Sequence, residues 1–134
     1  MTAESAFLPS AVQLMRYSAA TGNSHRLHYD QAYAQANGYS DVLVQLPLQC
    51  AWLLRACRRV PGWLRDPGAL RSFTMQARRP WAAGETAVVR ATSTEPVGGQ
   101  LRVVMELVDR FGAVLTVGQC AAAGPLDADV LRSC

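Results

Sequence analysis

The sequence predicts an α+β fold in which an antiparallel sheet wraps round one long central helix. Three observations carry that prediction. Residues 41–60 form one strongly apolar stretch with helical spacing. Four segments of strand texture follow it with no second helix between them. Short Gly-rich breaks, of the kind that close hairpins, divide the last three of these segments. One apolar helix and one sheet with a hydrophobic face have to cover each other.

The chain has 134 residues, 50% hydrophobic and 17% charged, a globular composition expected to make a single domain over residues 1–134. A chain of this size buries roughly two-thirds of its unfolded surface and needs no staples. Residues 11–19, AVQLMRYSA, alternate weakly, with Val12, Leu14 and Arg16 on one side, and read as a strand. ATGNSHRLH follows as a turn-rich loop. Asp30 is a good N-cap and Gly38 a good C-terminal stop, which predicts a short helix over 31–36. Pro is favoured in a first helical turn, so the central helix is expected to start near Pro47 and run to about Arg59. Leu48, Trp52, Leu53, Ala56 and Val60 recur at helical spacing, and Ala51, Leu54 and Cys57 widen the stripe almost all round, the pattern of a buried helix. Arg55, Arg58 and Arg59 suit the negative end of its dipole. Residues 61–69 read as a loop. Residues 69–79, 85–94, 99–110 and 113–123 read as strands, separated by PWAAG, EPVGG and FG, and the tail after 123 is expected to be peripheral. Strand, short helix, long buried helix and four antiparallel strands make the hot-dog architecture. Pairing exposed sheet edges across a two-fold axis is a common remedy for them, so a homodimer or higher homo-oligomer is expected.

Composition removes several classes of function. No apolar run approaches the roughly 20 residues of a membrane span. The first fifteen residues carry no basic region before an apolar stretch and do not read as a signal peptide, so a cytoplasmic location is expected. All 13 basic residues are Arg, but the net charge of +3 does not argue for nucleic acid. The pairs Arg58–Arg59 and Arg78–Arg79 are candidates for gripping phosphate. Cys50, Cys57, Cys120 and Cys134 have the spacing of neither a zinc site nor a disulfide framework and read as reduced thiols, with Cys50 and Cys57 as core filler.

The stretch GNSHRLHYD, residues 22–30, holds both histidines of the chain. His25 and His28 lack an evident third and fourth ligand, so no metal is expected. A structural reading has Asp30 capping a helix and a His bonding the loop backbone. A catalytic reading takes a His as acid and base near neutral pH, with Asn23 sharing a water with it.

GNSHRLHYDQAYA resembles the hydratase-2 signature of MaoC-like (R)-specific enoyl-CoA hydratases. The wider strip, residues 16–39, resembles most closely the mesaconyl-CoA-type hydratase and 3-hydroxyacyl-thioester dehydratase branch. It matches that pattern at Arg16, Tyr17, Ser18, Ala19, Thr21, Asn23, His25, Arg26, His28, Tyr29 and Asp30. The resemblance implies a hot-dog fold and reversible addition of water across a 2-enoyl thioester. It implies His28 as general base and Asn23 as water holder, in the place where much of the family has Asp. The start of the central helix, Gln45, Leu46, Pro47 and Leu48, would hold the thioester together with His25. The substrate would be an acyl-CoA or acyl-carrier-protein thioester, with no separate cofactor. The family usually has His-Gly where this chain has Gln45-Leu46, so a side chain stands where backbone access is expected. The branch often joins two hot-dog repeats, so pairing with a second hot-dog chain is a further expectation. The readings that follow are a hydratase or dehydratase, and a non-catalytic subunit that binds the thioester or completes a partner's site. A thioesterase is disfavoured because residues 47–59 contain no carboxylate.

Overall fold

The computed structural model describes residues 5–57 and 67–123. In chain order it contains β1 (Ser5–Phe7), α1 (Ala11–Thr21), a 3-10 turn (Arg26–His28), α2 (Gln31–Ala36) and α3 (Leu46–Cys57). A second 3-10 turn (Pro67–Ala69) leads into β2 (Leu70–Ala77), β3 (Ala87–Val97), β4 (Gln100–Asp109) and β5 (Val114–Ala123). The strands form one antiparallel sheet in the order β1-β3-β4-β5-β2.

The sheet has one apolar face because β4 alternates: Leu101, Val103, Met105 and Leu107 are buried, and the residues between them are not. That face meets Leu48, Trp52, Leu53, Ala56 and Cys57 of α3, which belong to the same buried cluster. The helix lies close to β5 at Gly118, where an added Cβ would stand 3.0 Å from Leu53 Cδ1. Phe7 of β1 stacks on Trp52 at 5.1 Å between ring centroids, and Trp81 meets Trp52 edge-on at 5.3 Å. The β3–β4 hairpin turns through two residues, Gly98 and Gly99, at φ 59 and 76, which favour glycine. This is the predicted hot-dog architecture, with the sheet laid over the central helix.

Four elements differ from expectation, the first being the short edge strand β1 at Ser5–Phe7, which was not among the expected strands. Residues 11–19 are helical, not extended. Ser10 caps α1 by accepting the Gln13 N–H, Gly22 closes it at φ 69, and the buried residues Leu14 and Ser18 stand four apart, the helical spacing. The weak alternation of Val12, Leu14 and Arg16 did not outweigh those caps. The helix α3 buries one face only, leaving Leu46, Pro47, Ala51 and Arg55 exposed. In EPVGG only the glycines turn: Glu95 and Pro96 remain in β3, opposite Arg102 and Leu101. Cys57 and Cys120 are buried with sulfurs 3.5 Å apart, and Cys50 is half-buried. The hydrogen bond with Cys120, and burial, push the Cys57 thiol far above its ordinary range. Arg58, Arg59, Val60, most of the 61–69 loop and the tail lie outside the described residues. Among the described residues no helix is long and apolar enough to cross a membrane.

Candidate active site

The loop after α1 is held by its own polar side chains. The Gly22 and Asn23 N–H groups both donate to the Ser18 carbonyl. Asn23 Oδ1 accepts the His25 N–H at 3.2 Å, which directs the amide nitrogen of Asn23 away from that bond. His25 Nδ1 accepts the Leu27 N–H at 3.3 Å and so caps the 3-10 turn. Tyr29 donates its hydroxyl to the Ser24 carbonyl. Asp30 accepts the Tyr33 N–H at the start of α2 and pairs with Arg26 at 2.6 Å. Those contacts, the backbone one first, hold the Asp30 carboxyl below its usual range.

His28 is oriented by a single strong contact. Its Nδ1 lies 2.8 Å from the Leu43 carbonyl oxygen. A carbonyl only accepts, so Nδ1 carries the proton, and the lone pair of the neutral ring is on Nε2. The anchor is itself fixed: the Leu43 N–H donates to the Leu27 carbonyl, Leu43 bridges to Ala82, and the Val44 N–H donates to the Trp81 carbonyl.

The third component is the start of α3. The N–H groups of Leu48 and Gln49 both turn back to the Gln45 carbonyl at 3.1 Å. Pro47 has no N–H, and among the described residues the Leu46 N–H has no acceptor. These parts meet in a cleft of about 490 Å³, lined by Asn23 and His28 from the loop, Leu46, Pro47 and Gln49 from α3, and Trp81. Arg78 and Arg79, both exposed, also border it where β2 ends. A basic nitrogen and an amide donor thus border one cleft with the positive end of a helix.

Of the residues singled out in the sequence, Asn23, His28, Leu46 and Pro47 come together here. Three do not. His25 is exposed and its Nδ1 is used inside the loop, with its ring 5.8 Å from that of His28. Gln45 is fully buried, donating from Nε2 to the Leu14 carbonyl at 2.8 Å and to Ser18 Oγ at 2.9 Å, so it fastens α1 to the start of α3. Leu48 belongs to the buried cluster beneath. Of the two arginine pairs, 58–59 lies outside the described residues. Gln49 was missed. Its signal was a lone amide on the face that otherwise carries Leu48, Trp52, Leu53 and Ala56. Among the described residues no group of three or more His, Cys, Asp or Glu side chains could hold a metal.

Comparison with known proteins bears on the family and the fold. The family of hydroxyacyl-thioester dehydratase type 2 matches residues 1–83, more than half of the chain. The mesaconyl-C(4)-CoA hydratase of Chloroflexus aurantiacus is 42% identical over 52 residues, which are 38% of this chain and 19% of that protein. The chain therefore spans only a fraction of that relative's length. Among solved structures, the ChsH1–ChsH2 complex of Mycobacterium tuberculosis matches at a TM-score of 0.74 and 19% identity, over 90% of this chain and 91% of the other. The (R)-hydratase PhaJ1 of Pseudomonas aeruginosa matches at 0.74 and 21%, over 95% and 81%.

Proposed function

The chain belongs to the hydroxyacyl-thioester dehydratase type 2 family, and from that premise we propose that it adds water to, or removes it from, a 2-enoyl thioester at this cleft. The observation that carries the reading is the 2.8 Å contact of His28 Nδ1 with the Leu43 carbonyl, which leaves Nε2 as the base in a cleft shared with Asn23. The amide nitrogen of Asn23 donates to a water whose own proton is directed at His28 Nε2. In hydration the water oxygen bonds to C3 as His28 takes its proton. The C2–C3 π pair moves toward the thioester oxygen, where the Leu46 N–H and the helix dipole offset the charge. The proton held by His28 then passes to C2, so one water is added across the bond and the ring returns to its neutral form. Dehydration is the reverse.

Arg78 and Arg79 suit the phosphates of a CoA or acyl-carrier-protein arm. The resemblance of the fold to the two-chain complex supports an oligomer, either of this chain or with a second hot-dog chain. A cytoplasmic site for this chemistry is part of the same proposal.

The test is hydration of crotonyl-CoA, followed as loss of the conjugated-enoyl absorbance, with wild type beside His28→Ala. Removal of a general base is expected to lower turnover about 100- to 10,000-fold. Undiminished turnover by His28→Ala overturns the assignment. One observation favours a second reading, a non-catalytic subunit that binds the thioester or completes a partner's site. The Leu46 side chain is 42% exposed and borders the cleft where the resembled family has Gly. That reading expects tight acyl-CoA binding, or a stable heteromer, without turnover.

A further inference from the structure

We propose that Gln49 is a second hydrogen-bond donor to the thioester carbonyl oxygen, beside the Leu46 N–H, and that Thr116 aims it. The proposal rests on the thioester reading above and adds a residue that the sequence did not single out. Gln49 is 4% exposed, yet it borders the cleft. Its carboxamide has one oxygen and two N–H groups, and the structure shows which end is where. The Thr116 hydroxyl donates to Oε1 at 2.5 Å, and Thr116 is fully buried on β5. Nε2 therefore points away from Thr116. One of its hydrogens reaches the Val44 carbonyl in a long bond of 3.3 Å. Among the described residues no acceptor meets the other hydrogen. A nearly buried N–H with no partner is costly unless something in the cleft accepts from it.

Gln49 stands three residues after Leu46 on α3, at the same positive end of the helix dipole. It also shares a reference point with the base. The Leu43 carbonyl holds His28, and the Val44 carbonyl holds Gln49. Two consecutive residues, themselves tied to Leu27 and Trp81, thus set the base and the donor relative to each other. During hydration, charge grows on the thioester oxygen as the C3–O bond forms. A neutral amide donor held in place beforehand favours that charge without having to reorganise. A side-chain donor also supplements the backbone at the position where Leu46 crowds the approach.

The test compares wild type with Gln49→Met, which keeps the length but has no donor, and with Gln49→Glu, which can still accept from Thr116 but offers no N–H. The first readout is kcat and KM for crotonyl-CoA. The expected result is a fall in kcat of about 100-fold with a much smaller change in KM, as for loss of one oxyanion donor. The second is the infrared carbonyl stretch of bound butyryl-CoA labelled with carbon-13 at the thioester carbon. This saturated ligand binds without reacting. The stretch is expected at lower frequency in wild type than in water, and to move back toward the water value in both variants. A carbonyl frequency that is the same in wild type and in whichever variants fold overturns the proposal, even if kcat falls. If the frequency responds to Gln49 but no enoyl-CoA is hydrated, the contact stands and the hydratase reading fails. If His28→Ala abolishes turnover while the frequency ignores Gln49, the reverse holds. Failure of wild type to bind the thioester overturns both.

Discussion

Replacing Thr116 by Val removes one oxygen from a fully buried position with little change of shape. The hydroxyl it removes is the donor that meets Gln49 Oε1 at 2.5 Å. Gln49 is 4% exposed, so water does not replace that donor. Leaving a buried acceptor unpaired costs about 1–3 kcal/mol. With a urea slope of about 2 kcal/mol/M, the unfolding midpoint of Thr116→Val is expected to fall by roughly 0.5–1.5 M. The decisive comparison is the double variant Thr116→Val/Gln49→Met. With both partners replaced by apolar groups of similar size, no orphan remains, and stability is expected to return to within about 1 kcal/mol of wild type. The Val44 carbonyl loses only a long 3.3 Å bond in that change. Equilibrium urea unfolding of the two single variants and the double gives a coupling between the sites of about 1–2 kcal/mol. Turnover is expected to stay low in the double variant although its stability recovers. A neutral Thr116→Val, or additive single variants, would refute the claim that Thr116 holds the amide.

Three further outcomes are expected. Asn23→Ala should lower kcat for crotonyl-CoA hydration about 10- to 100-fold, whereas Asn23→Asp should retain most of it, because one carboxylate oxygen still accepts the His25 N–H and the other accepts one proton of the water, leaving its second proton for His28 Nε2; equal losses in the two variants contradict the water-holding role. Gly118→Ala places a Cβ 3.0 Å from Leu53 Cδ1 and 3.4 Å from Phe73 Cζ, and Leu53 is fully enclosed. Overpacking of about 1–3 kcal/mol is expected to exceed the roughly 0.5–1 kcal/mol gained by stiffening the unfolded chain, so thermal unfolding should come at lower temperature; a rise in Tm contradicts tight contact of α3 with β5. The Asp30 carboxyl is held below its ordinary value of 3.8 in the fold, so its contribution to stability is present above that pH and is lost as pH falls through the lowered folded value. Urea midpoints measured from pH 6 to pH 2 should therefore fall less steeply on the acid side for Asp30→Asn than for wild type, and parallel curves contradict the assignment.

The central helix, the four long strands and the cap of α2 were legible because each has a local cause. Pro47 starts a helix, Gly98 and Gly99 close a hairpin, and Asp30 caps α2 wherever these residues stand. The first helix was not legible in AVQLMRYSA because its decisive residues, Ser10 and Gly22, lie just outside that window. The site was half legible for a similar reason. Asn23 and His28 share one short loop, so their placing at one cleft is written locally. The roles of Gln45 and Gln49 depend on what packs beside them. Four residues apart at the start of α3, one turns to Ser18 of α1 and the other to Thr116 of β5. No periodicity within the helix distinguishes those two directions.

Oxygen exchange at C3 reports directly on whether His28 moves water on and off the thioester. The chain is incubated with 3-hydroxybutyryl-CoA in oxygen-18 water, and the label is located by mass spectrometry. Label is expected in the C3 hydroxyl with wild type and not with His28→Ala. Label in a released carboxylate, or in the C3 hydroxyl of both proteins alike, would contradict a hydratase that uses His28 as its base.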